Sequence, residues 1–206
     1  MPANRHSLRS LALATPILLF SAAIVAGQEA TVQKLIERGS LDEAVQKAEG
    51  ERDNPESTYL AAQAFGKMDN GGRANEEYSR LRERGEEDWK AIGESGAALA
   101  GGNVDEAMAA ANRAVSANGG NPYAHYQVGV VASRQQNFAQ AAEAFGRSVQ
   151  AKPDLAYAHY YAGLANQRIK QIPKMSEHFE AFMRLAPDAP ERAGVQAILR
   201  TLRPRR

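Results

Sequence analysis

Residues 122–155 read PYAHYQVGVVASRQQNFAQAAEAFGRSVQAKPDL, and residues 156–189 read AYAHYYAGLANQRIKQIPKMSEHFEAFMRLAPDA. Laid over one another, His125, Gly129, Ala141, Phe145 and Pro153 recur as His159, Gly163, Met175, Phe179 and Pro187. A fixed period of 34 residues marks stacked copies of one helix–turn–helix unit. Such an array buries a continuous core between neighbours and presents an extended concave surface to another macromolecule. The local pattern is helical as well. Leu41, Ala44, Val45 and Ala48 lie at 3/4 spacing, as do Tyr126, Val130 and Ser133 on another face.

Working outward, the small residue expected where the two helices of a unit cross is Ala44, Ala74, Ala107, Ala141 and Met175, at intervals of 30, 33, 34 and 34 residues. The array is regular toward its C-terminus and looser toward its N-terminus. Gly129 and Gly163 let the paired helices lie close, Phe145 and Phe179 fill the space between a unit and the next, and Pro153 and Pro187 end second helices. Asp154 and Asp188 are expected to cap the helices that follow. Two stretches read as soft: Asn70-Gly71-Gly72, and the cluster Gly93, Gly96, Gly101 and Gly102, where either the helices approach closely or the unit flexes. Asn118 to Pro122 reads as a hinge. Val195, Ile198, Leu199 and Leu202 form one stripe of a terminal capping helix.

These landmarks resemble the tetratricopeptide-repeat family, whose pattern runs W-x2-L-G-x2-Y, then A-x3-F, then P. Residues 122–155 supply His125-x2-Val128-Gly129-x2-Ala132, Ala141-x3-Phe145 and Pro153; residues 156–189 supply His159-x2-Ala162-Gly163-x2-Asn166, Met175-x3-Phe179 and Pro187. Residues 55–87 keep Ala62, Phe65, Ala74 and Tyr78, and residues 28–54 keep Leu41-Asp42-Glu43-Ala44. The resemblance implies an all-α, right-handed superhelical solenoid of about five units. Residues 28–87 hold irregular units, 88–189 regular ones, and 190–206 a capping helix with a basic tail.

In that family the first helix of each unit lines the inner groove. Carried over, the groove holds Tyr59 with Glu56, Gln63 and Lys67; Trp89 with Ile92 and Gly96; Tyr123 and Tyr126 with Val130, Ser133 and Arg134; and Tyr157 and Tyr160 with Leu164, Gln167 and Arg168. Tyr, Trp and Arg most often dominate protein interfaces. Tyr59, Trp89, Tyr123, Tyr126, Tyr157 and Tyr160 suit an extended or helical apolar peptide, with Arg134 and Arg168 reading acidic groups and Gln167 beside them. The alternative for any one ring is packing between neighbouring first helices. The cationic clamp of chaperone-docking members is absent, since Ile92, Gly96, Tyr126, Gln127, Val130, Tyr157 and Tyr161 stand at comparable positions.

Nothing points to catalysis, a metal or a cofactor. His125 and His159 hold equivalent positions and read as hydrogen-bonded core residues, while His178 has no evident companion. Zinc-protease, nucleophile-elbow and phosphate-loop motifs do not occur.

The N-terminus reads as an export signal. Arg5 and Arg9 precede an apolar run from Leu11 to Val25, followed by Val25-Ala26-Gly27-Gln28. Cleavage is expected after Gly27, or after Ala23; an uncleaved membrane anchor over residues 11–26 is the alternative. There is no cysteine, hence no disulfide, lipid-anchored cysteine or Cys-based zinc site. The formal charge of +1 gives no bulk electrostatic reason to bind nucleic acid. The reading is a non-enzymatic adaptor in a bacterial-type cell envelope, periplasmic or secreted, whose partner is a peptide or another envelope protein. Two rivals stand: a glycan-binding module that stacks aromatic faces on sugars, and a structural array that self-associates through an uncapped N-terminal end.

Overall fold

The computed structural model describes residues 30–202. The export segment with its cleavage sites, and the arginines beyond Leu202, lie outside the described residues.

Among the described residues eleven helices follow one another: α1 (Val32–Glu37), α2 (Leu41–Gly50), α3 (Pro55–Lys67), α4 (Gly71–Arg84), α5 (Glu87–Ala100), α6 (Val104–Ala117), α7 (Pro122–Arg134), α8 (Phe138–Ala151), α9 (Ala156–Arg168), α10 (Ile172–Leu185) and α11 (Arg192–Thr201). They form an all-α solenoid of five antiparallel pairs with α11 closing the C-terminal edge. Helices α7 and α9 begin at Pro122 and Ala156, the first residues of the two repeats that the period defines.

The elbow inside every pair is built the same way. The first helix ends at a residue with left-handed backbone: Gly39 (φ 82°), Asp69 (55°), Gly102 (82°), Gln136 (60°) and Lys170 (60°). The N–H of the next residue then reaches back to close the helix end: Ser40 to Leu35 O (2.9 Å), Asn70 to Phe65 O (2.9 Å), Asn103 to Ala98 O (2.8 Å), Asn137 to Ala132 O (2.9 Å) and Gln171 to Asn166 O (2.9 Å). Those same five residues are the N-caps of the second helices. One residue thus ends one helix and starts the next, and the left-handed residues keep the intervals of 30, 33, 34 and 34 residues seen in the sequence. Asn70-Gly71-Gly72 is one of these elbows.

Close approach explains four helical glycines, Gly93, Gly96, Gly129 and Gly163. A Cβ on Gly129 would lie 2.8 Å from the Phe145 ring, and one on Gly163 would lie 2.5 Å from the Phe179 ring. Gly93 faces the Tyr78 backbone carbonyl and Gly96 the Tyr78 ring, both too near for any side chain. The expected hinge at Asn118–Pro122 is fastened instead. Asn118 and Asn121 both donate to Oδ2 of the buried Asp88, at 3.0 and 2.9 Å, and Asn121 caps α7 by accepting from Tyr123 N.

The expected Asp caps do not form. The N-cap of α9 is Leu155 and that of α11 is Glu191, and neither side chain bonds the helix it precedes. The first N–H of α9, at Ala156, is instead accepted by the carboxylate of Glu37 at 3.3 Å, from the other end of the chain. The array curls until its first unit touches its last. Gln33 Nε2 donates to Asp154 O (2.9 Å), Lys34 Nζ to Leu185 O (3.2 Å), and the Pro190 ring sits 3.0 Å from where a Cβ on Gly39 would point. The N-terminal end is therefore covered over much of α1, not left open. Of six residues in this short helix, only Lys34 is exposed. Six residues cannot hold a helix alone, so α1 is helical because of what surrounds it.

Helix α11 covers the last pair as expected. Val195 is buried, Ile198 and Leu199 are half-buried, and Arg192 donates to Met183 O at 3.1 Å.

Candidate partner-binding groove

The sequence placed an aromatic ladder on an open concave surface. The rings do share one side of the array, but the curl turns four of them inward. Tyr59, Tyr123, Tyr126 and Tyr157 are 1%, 2%, 6% and 7% exposed. The correction has a plain physical cause. The facing walls of the groove come close enough for aromatic rings to meet each other, and burying such rings is strongly favourable. Tyr59 on α3 lies 5.3 Å from Tyr123 and 6.4 Å from Tyr126 on α7, centroid to centroid. Trp89, half-buried on α5, lies 5.6 Å from Tyr123 and 6.3 Å from Tyr59. The indole is thus in tilted contact with two neighbouring rings.

The hydroxyls of Tyr59, Tyr123 and Tyr157 each find a partner on another wall. Tyr59 donates to Gln127 Oε1 (3.1 Å), Gln127 Nε2 donates to Ser95 Oγ (3.1 Å), and Ser95 Oγ donates to Ala107 O (2.8 Å). This relay joins α3, α7, α5 and α6. Tyr123 donates to Glu56 Oε1 at 2.7 Å, and Lys152 Nζ donates to the same oxygen at 2.5 Å. Tyr157 donates to Glu191 Oε2 (2.8 Å), Lys67 Nζ donates to Glu191 Oε1 (2.9 Å), and the same ammonium lies 4.0 Å from the Tyr157 ring centroid. Glu56 and Lys67, groove residues by their place in the repeat, bond across the groove. Burial comes first among the causes that push these phenols up: Tyr59, Tyr123, Tyr126 and Tyr157 all lie above the ordinary tyrosine value, with Glu56 and Glu191 adding to it at Tyr123 and Tyr157. Glu191 is set the other way. Burial raises it, but the Lys67 and Tyr157 bonds outweigh that and hold its carboxyl below the usual range.

The space left between α1 and α3 on one side and α7 and α9 on the other is about 30 Å³, with Ile36, Leu60, Tyr126 and Tyr157 in its walls. That is room for about one water molecule.

Of the other expected groove residues, Ile92 and Gly96 are buried in α5, while Tyr160, Gln167, Arg134 and Arg168 stay accessible. Tyr160 is half-buried, Gln167 is half-buried, and Arg134 and Arg168 are exposed. Along α9, Tyr157, Tyr160, Leu164 and Arg168 follow one another at helical spacing, so the buried ladder continues into an accessible stretch. Arg168 sits 5.3 Å from the centre of the Phe138 ring. Trp89 also borders a separate open cleft of about 380 Å³ with Arg52, Arg80 and Arg84.

Sequence reasoning missed two features. His125 and His159 are core residues bonding the carbonyls of Gly119 (2.9 Å) and Pro153 (3.1 Å), the same contact in successive units. But His178 has a companion: its Nδ1 lies 3.2 Å from Nδ1 of His159. Since His159 Nε2 donates to a carbonyl, its neutral Nδ1 accepts and His178 Nδ1 donates. The second missed feature is the occupancy of the groove by α1, which no local pattern signals. Among the described residues no three His, Asp or Glu side chains converge as a metal site, and no helix is long and apolar enough to cross a membrane.

No protein-family model matches the sequence, and no curated protein is detectably similar to it. Solved structures are similar in fold. The TPR domain of Arabidopsis OM64 superposes with a TM-score of 0.52 at 17% identity, covering 55% of this chain and 94% of its own. The first TPR of Spaghetti (RPAP3), bound to the HSP90 peptide SRMEEVD, gives 0.52 at 18% identity, covering 56% and 89%. YrrB, a TPR protein with an unusual peptide-binding site, gives 0.50 at 17% identity, covering 83% and 89%. The paired helices, the shared elbow residue and these likenesses agree: the chain has the fold of the tetratricopeptide-repeat proteins.

Proposed function

We propose that this chain is a non-enzymatic adaptor of a bacterial-type cell envelope that binds a peptide or protein partner along the inner side of its repeat array. The observation that carries the reading is the aromatic ladder of Tyr59, Trp89, Tyr123, Tyr126, Tyr157 and Tyr160, which gathers on one side of four successive units and runs out into the accessible Tyr160, Leu164 and Arg168. Supporting it, RPAP3 and YrrB, of the same fold, are described with peptides or a peptide-binding site. The helices are fixed before a partner arrives, so the ordering cost falls mainly on the partner. The envelope setting rests on the N-terminal Arg5, Arg9 and Leu11–Val25.

Crosslinking co-purification from native envelopes tests the reading, comparing wild type with Tyr160→Ala/Arg168→Ala, whose side chains are accessible enough for the fold to survive their loss. A protein captured by the wild type and lost in the variant supports groove binding. An unchanged set of partners overturns it. Sequencing the N-terminus of the native chain tests the export signal, with Gln28 as the expected first residue.

A further inference from the structure

We infer that the groove takes a short amphipathic helix from its partner, and that α1 holds that place in the closed chain. The inference rests on the proposed groove-binding function and names the partner's chemistry.

Three observations carry it. First, α1 is seated as a ligand would be. Val32, Leu35 and Ile36 join the same apolar core as Tyr59, Tyr126 and Tyr157, and Gln33 and Glu37 make polar contacts at the groove rim, to Asp154 O and Ala156 N. Secondly, α1 is too short to hold itself. It has 6 residues where the other first helices have 13 or 14. A helix this short is stable only while docked, and such elements open at the low end of a protein's stability range. Thirdly, α1 reaches only one end of α9. Beyond Ala156 and Tyr157 the same face continues through Tyr160, Leu164 and Arg168.

A partner helix longer than α1 therefore has a place to start. It engages Tyr160, Leu164 and the exposed Arg134 and Arg168, then displaces α1 from the tyrosines. The resident helix defines the required pattern: apolar residues at i, i+3 and i+4, as in Val32, Leu35 and Ile36, followed by a carboxylate at i+5, as in Glu37. The arginines beyond α1 add a preference for further acidic residues along the helix. The competition is internal, so apparent affinity is the intrinsic affinity multiplied by the fraction of chains with α1 released.

The test uses the full chain and a fluorescein-labelled peptide of residues 30–38, ATVQKLIER, with a Leu35→Asp peptide as control. Wild type is compared with Gln33→Ala/Glu37→Ala, which removes the polar anchors of α1 and changes no side chain of α3, α5, α7 or α9; Gln33→Ala alone, which keeps the Glu37 cap on α9, is the milder variant should the double one fold poorly. Binding is read by anisotropy and by emission of Trp89, the single tryptophan, which touches Tyr59 and Tyr123. The expected result is at least tenfold tighter binding to the loosened chain than to wild type, none by the control peptide, and loss of amide-exchange protection at residues 32–37 when the peptide displaces α1. Equal affinity for both chains, or no binding to a chain whose α1 amides exchange freely, overturns the inference. If the peptide fails while a native partner remains sensitive to Tyr160→Ala/Arg168→Ala, only the helix assignment falls. If both fail, the groove reading falls with it.

Discussion

The carboxylate of Glu37 accepts a hydrogen bond from the backbone N–H of Ala156, 119 residues further along the chain. The first helix thereby caps the ninth. The same buried carboxylate accepts from Gln33 Nε2 at 2.8 Å and from Lys34 Nζ at 2.6 Å, so the residue that ties the ends together is itself held by its own helix.

Glu37→Ala removes that cap and leaves the Ala156 N–H without its acceptor. The expected cost is about 1–3 kcal/mol, the usual range when a buried group loses its partner. Chemical denaturation measures the total, and amide exchange locates it. Protection should fall at residues 32–37 and at Ala156, with α5 to α8 unchanged. Uniform loss of protection would mean that closure and fold are inseparable.

Two glycine substitutions on adjacent helices should have opposite signs. Gly129→Ala drives a methyl to within 2.8 Å of the Phe145 ring and should destabilise by about 1–3 kcal/mol through overpacking. Gly146→Ala on α8 meets nothing within 4 Å and should stabilise by up to about 1 kcal/mol through helix propensity. Urea midpoints for the two variants decide the matter; a shift of the same sign in both would contradict the packing described.

The His159–His178 pair predicts a loss of stability in mild acid. Burial lowers both imidazoles below their ordinary 6.5, and His159 lowers His178 further. The unfolded chain therefore takes up protons at a higher pH than the folded one. Stability should be full above about pH 6.5 and decline as pH falls through the lowered folded values. The melting temperature between pH 8 and 5 measures this, and His178→Gln should flatten the slope. A wild-type curve with no slope in that range would contradict it.

The tyrosines predict the behaviour in alkali. All seven lie above their ordinary 10, with burial the first cause at each; Tyr78 and Tyr161 are pushed to about 12. Above pH 10 the unfolded chain gives up protons that the folded chain keeps, so stability falls with rising pH. Ultraviolet titration should show almost no tyrosinate at pH 10, followed by ionisation in step with loss of helicity. Stepwise ionisation near pH 10 with helicity intact would show the rings to be open to water.

The repeat was legible because its constraints are local. Pro122, Gly129, Phe145 and Pro153 act within one unit, so their spacing reports helix ends and crossing points directly. The elbows were half legible. Gly39 and Gly102 signal a left-handed residue, but Asp69, Gln136 and Lys170 hold the same conformation without that mark, because the closing bond of the elbow imposes it. The tyrosine positions were legible and their accessibility was not. Whether a groove is open depends on the summed curl over five units, and the bonds that fix it, such as Gln33 to Asp154 and Tyr59 to Gln127, join residues with no common pattern. His178 was missed for the same reason: it meets His159 across a helix pair, 19 residues away, outside any motif.

The closure also sets an order of events as the protein is made. Of the described helices α1 leaves the ribosome first, yet its bonds to Asp154, Ala156 and Leu185 can form only when those residues have left, near the end. The middle units gather their contacts from near neighbours and can settle while synthesis continues. Of the described helices, the first to be synthesised is then the last to be fixed, and until that moment α1 itself remains open to proteases and to any machinery that handles an extended polypeptide.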